Sequence, residues 1–532
     1  MNYLHHIWAL LLLLNIPVAT LHAQNAENQR GDFLYEKTHP LREIRAVWLT
    51  TIGGLDWPRT KATDAASRDR QKAELVSILD NYKRANINTV IFQTRVRAAV
   101  LYPSKIEPWE LSLTGKAGMN PGYDPLAFCI EECHKRGMEL HAWVVCIPIG
   151  TSQRQSGYGS ASLVKRRPEL VKTAKGGEMF MLPGNPKTAD YIASICQEIV
   201  QNYDVDGISL DYIRYPESIF NFSDDNLYPR SASLSKADWR RENITRIVRR
   251  VHDVVKPIKP WVKLSSSPIG KYRDTHRYSA GGWNGYNAVY QDPVLWLKEG
   301  WQDLLFPMMY FTGNNYYPFL FQWLENAYGH PIAPGLGIYF LDPREGRWQL
   351  NEVRAEMHTA RNSSIGGVAF YRGEFLTKNC KGIYDTACRE FFPYPALTPR
   401  MTWQGDTIPP LAPTQLTYAS GILHWQAPQP PKGGLCYNIY GSNLYPVDIT
   451  KAENLLAVNI RTPRYELSGR DLKVHHYAVT AIDRFGNESP ALQEVKPTFE
   501  LPQHIDVPRL INRDLKGTQA KTRKNDKKKK RK

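Results

Sequence analysis

The stretch VDGISLDYIRYP, residues 205–216, runs an apolar segment into an acid, Asp211, with a cation, Arg214, three residues later. A carboxyl group at a strand end is placed either for proton transfer or simply to hold the chain by hydrogen bonds. A nearby guanidinium from Arg95 or Arg214 would keep it ionised. Further carboxyl groups follow other strand-like runs: Asp56 after VWLT, Glu107 in the loop after FQTR, and Glu374 after GGVAFYR. No other chemistry competes with these acids. The chain has no His-Glu-x-x-His, no zinc-spaced Cys or His set, no Gly-x-Ser-x-Gly elbow and no phosphate loop, so no metal and no cofactor is expected.

Elements must bring these side chains together. From residue 42 to 393, strand-like runs alternate with amphipathic helix-like ones. The runs are EIRAVWLT, NTVIFQTR, ELHAWVV, DGISLDYI, VKLSSSP, LLFPMMYF, IAPGLGIY and GGVAFYR. Eight strands, each followed by a helix or long loop, predict an α/β fold of the TIM (β/α)8 barrel kind. A doubly wound open sheet is the alternative, and it lacks the glycine-rich turn such sheets place after an early strand.

In a barrel, successive strand residues alternate between the interior and the helix layer. Ile208 and Leu210 suit the helix side, so Gly207, Ser209 and Asp211 face inward. The same parity turns Gln93, Arg95, His141, Trp143, Val145, Met308 and Tyr310 inward and leaves Phe92 outside. Asp211 then lies at the C-terminal rim, where barrels carry their chemistry. The less specific readings are a core histidine for His141 and interior packing for Trp143. An inward Arg95 requires an anionic partner.

After a linker over 394–410, which contains the proline-rich DTIPP, residues 411–500 read as short alternating strands between Gly, Pro and Asn turns. Trp425, YNIYGS and YAVTAIDRFGNES resemble a fibronectin type III module, an all-β sandwich in which Tyr477 would be the tyrosine-corner residue.

The termini suggest an address. An apolar run from Ile7 to about Thr20 precedes Leu-His-Ala, which predicts a signal peptide over 1–23 and an exported protein, periplasmic or associated with the cell envelope. Of the formal net charge of +16, residues 513–532 carry +9, from eleven Lys or Arg against two Asp. This basic tail suits anionic polymers or a membrane surface, or is merely solvated, and nothing points to specific nucleic-acid binding. Seven cysteines are sparse for an exported chain of 532 residues. Cys380 and Cys388 are the expected disulfide, and Cys129 and Cys133 are expected as small core residues of one helix face.

The first region resembles the glycosyl-hydrolase-like family 10. The resemblance is carried by EIRAVWLTT, FQTR, LYPSKIEPWELSLTG, PGYDPLAFCIEECHKRGMELHAW, VDGISLDYIRYP and FPMMYF. It implies a barrel in exported bacterial proteins, glycoside hydrolysis as activity, and cell-wall (peptidoglycan-type) or other complex polysaccharides as substrates. It also implies Gln93, Arg95, His141, Trp143, Asp211 and Tyr310 as pocket residues. The chain departs from many relatives in having Ala98-Ala99 for a Gly-Asp pair, and Val145-Cys146-Ile147-Pro148 for Asn-Pro-Tyr-Arg. It also lacks the chitinase proton donor, with Ile213 at that place in the strand.

Glycoside hydrolysis normally uses two carboxyl groups. Asp211 is the first, as nucleophile or electrostatic stabiliser. Glu374 is the leading second, then Glu107, then Asp56. Arg95, Arg214, Gln93, His141, Trp143 and Tyr310 would bind sugar hydroxyls or tune the acids. The rival reading is a non-catalytic glycan-binding protein on the same scaffold.

Overall fold

A computed structural model describes residues 39–229 and 233–493; the expected signal peptide and basic tail lie outside the described residues. Eight parallel strands form one curled sheet: Ile44–Leu49, Thr89–Arg95, Glu139–Val145, Gly207–Asp211, Lys263–Ser266, Leu304–Leu305, Gly335–Leu336 and Gly367–Phe370. In the sheet the last two precede the first, so the first strand pairs with both the second and the eighth. Isolated parallel bridges from Leu305 to Ile332 and from Met308 to Gly335 close the remaining gap. The result is an α/β barrel with helices such as Ala65–Arg84, Pro186–Asn202 and Lys236–Val255 outside it.

Side-chain alternation builds two layers. Ile44, Ala46, Trp48, Ile91, Trp143, Val145 and Phe306 fill the interior, while Val47, Leu49, Phe92, Ile208 and Leu210 pack beneath the helices. Gly207 is required by this arrangement, because a Cβ there would come within 2.7 Å of the inward His141 ring. The sixth and seventh strands are much shorter than the apolar runs that contain them. Pro307 and Pro334 donate no hydrogen bond, and a proline interrupts a ladder wherever it enters one.

The C-terminal region holds two three-stranded antiparallel sheets. One contains Thr414–Ala419, Ile422–Gln426 and Arg464–Glu466; the other contains Cys436–Ser442, Leu455–Ile460 and His476–Ile482. They face each other across Leu423, Trp425, Ile439 and Val479. The Tyr477 hydroxyl donates to the Asp471 carbonyl oxygen at 2.8 Å, tying the last of these strands to the turn before it.

The connecting stretch is tied down rather than free. Trp403 and Gln404 both donate to Asp303, at 2.8 and 2.6 Å, and Thr398 donates to Glu139 at 2.7 Å. Cys380 and Cys388 are both free thiols, so the expected bridge is not formed; the Cys388 sulfur instead lies 4.0 Å from the Arg84 carbonyl oxygen. Cys129 and Cys133 are buried in the core, also free.

Candidate active site

The C-terminal ends of the strands surround a cavity of about 330 Å³. Its wall is largely aromatic: Trp48, Trp143, Tyr212, Tyr310, Tyr339 and Tyr371 all line it. Tyr310 stacks on Tyr371 with ring centres 5.0 Å apart, and Tyr339 meets Tyr310 edge-on at 5.9 Å. Such faces suit the apolar sides of pyranose rings.

Asp211 is the sole carboxylate of this wall among the described residues. The last residue of its strand, it is only 4 % exposed. Each of its oxygens has one donor. The Trp143 indole N–H donates to Oδ2 at 2.9 Å and the Tyr212 amide to Oδ1 at 2.7 Å. Burial raises its pKa above the ordinary aspartate value. The nearby Arg214 charge and the two hydrogen bonds oppose that rise without cancelling it.

Around it stand polar groups with capacity to spare. The Gln93 side-chain oxygen accepts from the amides of Thr51 and Ile52 at 2.9 and 2.8 Å. Those two donors fix its orientation and turn the NH2 end toward the cavity. Thr50 and Ser267 also line the cavity, and their buried hydroxyls have no partner among the described residues. Buried polar atoms are normally paired, so open hydroxyls on a cavity wall belong with a ligand or solvent that completes them.

The structure distributes the sequence-predicted residues unevenly. Asp211, Gln93, Trp143 and Tyr310 meet in the cavity, and Met308 lines it as well. Arg95 does not. The ladder between the second and third strands is irregular between Gln93 and Arg95, which reverses the alternation and turns Arg95 toward the helix layer. There it forms a buried bidentate pair with Glu107 at 2.8 and 2.6 Å, and the Tyr191 hydroxyl donates to Glu107 at 3.0 Å. Glu107 is thereby also removed from the cavity.

His141 points inward, but at the opposite end of the barrel. It is 3.1 Å from Glu139, which in turn accepts from Thr398. Glu374 sits among cations, with Arg372 and Arg59 at 2.8 and 2.9 Å and Lys378 in contact. Although burial opposes it, these partners pull its pKa down to about 2, and Glu374 does not line the cavity. Asp56 is occupied by Arg372 and by the amides of Thr50 and Glu374. Arg214 lies behind Tyr212, its guanidinium 4.4 Å from that ring.

Sequence reasoning missed Trp48, Thr50, Arg97, Ser267, Tyr339 and Tyr371. Strand parity could have found Trp48. The signal for Thr50, Ser267 and Tyr371 was their place at strand ends; Arg97 and Tyr339 lie in irregular segments that carry no periodicity.

The sequence profile described as Glycosyl hydrolase-like 10 matches residues 43–327. The glycosyl hydrolase YngK of Bacillus subtilis is 31% identical over 477 residues, 85% of this chain and 92% of that protein. The glycosyl hydrolase DigH of Escherichia coli is 37% identical over 374 residues, 63% of this chain and 84% of that protein. Among solved structures, the PgaB (BpsB) glycoside hydrolase domain of Bordetella bronchiseptica aligns at 12% identity and a TM-score of 0.45, over 66% of this chain and 99% of that one.

Proposed function

From the premise that this chain belongs to the glycosyl hydrolase-like 10 family, we propose that it cleaves O-glycosyl bonds of a complex polysaccharide, with Asp211 as proton donor. The observation that carries this reading is the buried Asp211 carboxyl, raised in pKa, at the floor of an aromatic cavity. The expected role changes with its surroundings. A proton donor must hold its proton more tightly than an ordinary aspartate, and burial shifts Asp211 in that direction.

The chemistry follows from the geometry. A sugar ring stacked between Tyr310 and Trp143 would present its glycosidic oxygen to Asp211. As the carboxyl proton passes to that oxygen, the C1–O bond breaks and positive charge develops on the ring. The surrounding π faces favour that charge. The Trp143 N–H and the Tyr212 amide then hold the carboxylate left behind, one on each oxygen. The attack on C1 comes from water or from a group of the substrate, since neither Glu374 nor Glu107 lines the cavity.

Bacterial cell-wall glycan is the proposed substrate class. YngK and DigH are both described as glycosyl hydrolases, and the apolar run at the N-terminus supports export to the envelope. The two facing sheets with the Tyr477 hydrogen bond support a fibronectin type III-like module, read as a spacer or docking unit.

One observation favours a second reading. A single carboxylate in the cavity wall, with Ala99 where relatives carry an acid, would also suit a protein that binds glycan without cleaving it. Incubating the protein and its Asp211→Asn variant with a glycan panel, including peptidoglycan strands, and following new reducing ends decides between them. Release by the wild type alone supports hydrolysis; retention of glycan by both, with no release, supports binding.

A further inference from the structure

The cavity holds a second charged side chain that the proton-donor chemistry does not use. Arg97 lines it, in the turn that follows the second strand, where the backbone of Arg97 and of Ala98 is left-handed, with φ of 49° and 64°. Both are positions where a non-glycine residue is disfavoured, so the turn holds the Arg97 stem in one direction at some conformational cost. A Cβ on Gly150 would lie 3.4 Å from the Arg97 Cδ, so the stem runs close over that glycine. Among the described residues no carboxylate pairs with its guanidinium. By contrast, Arg95, Arg154 and Arg372 nearby all have a carboxylate partner.

The Tyr212 ring lines the same cavity, and the residue is 41 % exposed. Behind that ring, Arg214 has a buried Nη1 with no partner, and its Nη2 reaches only Glu217, at 3.3 Å. The cavity thus has one arginine, Arg97, in its wall and a second, Arg214, packed on the Tyr212 ring that lines it. A half-buried cation facing a cavity without an anion is a cost that a ligand can relieve.

Resting on the glycosidase reading above, we propose that Arg97 is a specificity residue that selects a glycan bearing a carboxylate on a ring bound in this cavity. The guanidinium presents a planar edge of two parallel N–H donors, the shape that a carboxylate fits bidentately. A neutral glycan would leave that edge unpaired in a partly desolvated site. The carboxylate has two plausible chemical sources, a hexuronic acid and a lactyl ether on an amino sugar, and both offer the same group to Arg97.

The test uses the full-length Asp211→Asn protein, so that ligand is bound without turnover, and titrates it calorimetrically with matched probes. One pair is a hexuronate oligosaccharide and its carboxyl-reduced form. The other is peptide-free, lactyl-bearing glycan strands and their carboxyl-reduced form. The expected result is that one carboxylated probe binds roughly tenfold tighter than its reduced partner. That preference should disappear with Arg97→Gln, shrink with Arg97→Lys, which keeps the charge and loses the two-donor edge, and weaken as salt rises. The pair that shows it identifies the source of the carboxylate. Equal affinity for carboxylated and reduced probes, or a preference untouched by Arg97→Gln, overturns the proposal while leaving a glycan site standing. Binding of no probe in either form overturns the glycan reading and this proposal with it.

Discussion

Asp211 is held by two donors, one on each oxygen, and buried beneath an aromatic wall, so its protonation is set by a balance between desolvation and hydrogen bonding. Its neighbours show how specific that balance is. Glu374, with three cations around it, stays ionised, and its stabilising contribution is present above the ordinary glutamate pKa and lost as pH falls toward about 2. Glu374→Gln should therefore differ from the wild type in urea stability at neutral pH, with the difference vanishing in strong acid. Ala98 offers a second test. Its φ of 64° is a conformation that glycine adopts without strain. Ala98→Gly should raise stability by about 1 kcal/mol, read from the urea midpoint. Asp211 was legible in the sequence because a strand end and an alternation rule suffice to place it. The pairing of Glu107 with Arg95 was not, because it depends on a local irregularity of the ladder that no pattern of residue types marks.

Helices and strands carry their own consequences. On the helix Leu350–Asn362, Glu356 is 1 % exposed and both its carboxyl oxygens lack a partner. Burial, with some repulsion from Glu352, pushes its pKa up to about 9. The folded protein thus keeps this proton where the unfolded chain has lost it. The contribution is fully present below the ordinary glutamate value and is lost as pH rises toward about 9. Glu356→Met should remove a fall in stability of a few kcal/mol between acid and alkaline pH, measured by urea denaturation at both ends. The Arg95–Glu107 pair behaves oppositely. Arg95→Met strands a buried carboxylate and should cost about 3–5 kcal/mol. The first five barrel strands were recognisable from apolar runs. The sixth and seventh were recognisable in kind but not in length, because Pro307 and Pro334 interrupt pairing inside apolar segments.

At the scale of the molecule, the small β region is fastened to the end of the barrel opposite the cavity. Arg484 donates to Asp204 and Asp206 at 2.8 and 3.1 Å, and Arg461 donates to Asp204 at 2.9 Å. His134 lies 2.8 Å from Asp206 on the barrel side. Arg484→Gln should lower stability by about 2 kcal/mol by removing one charged partner of Asp206, which keeps His134 and the Leu140 amide, seen as a drop in the urea midpoint. The alternation of strand and helix runs, and the break between the two regions, were legible because they repeat over long distances. The docking was not, since it joins residues more than 250 positions apart.

The account turns on Asp211 as proton donor, and the most direct measurement is reducing-end release from a cleaved glycan by the wild type and Asp211→Asn, from acid to mildly alkaline pH. It predicts a rate that falls on the alkaline side at a pKa above the ordinary aspartate range, and a loss of roughly 10²–10⁴-fold in the folded variant. Undiminished release by Asp211→Asn, with the same pH profile, would contradict it.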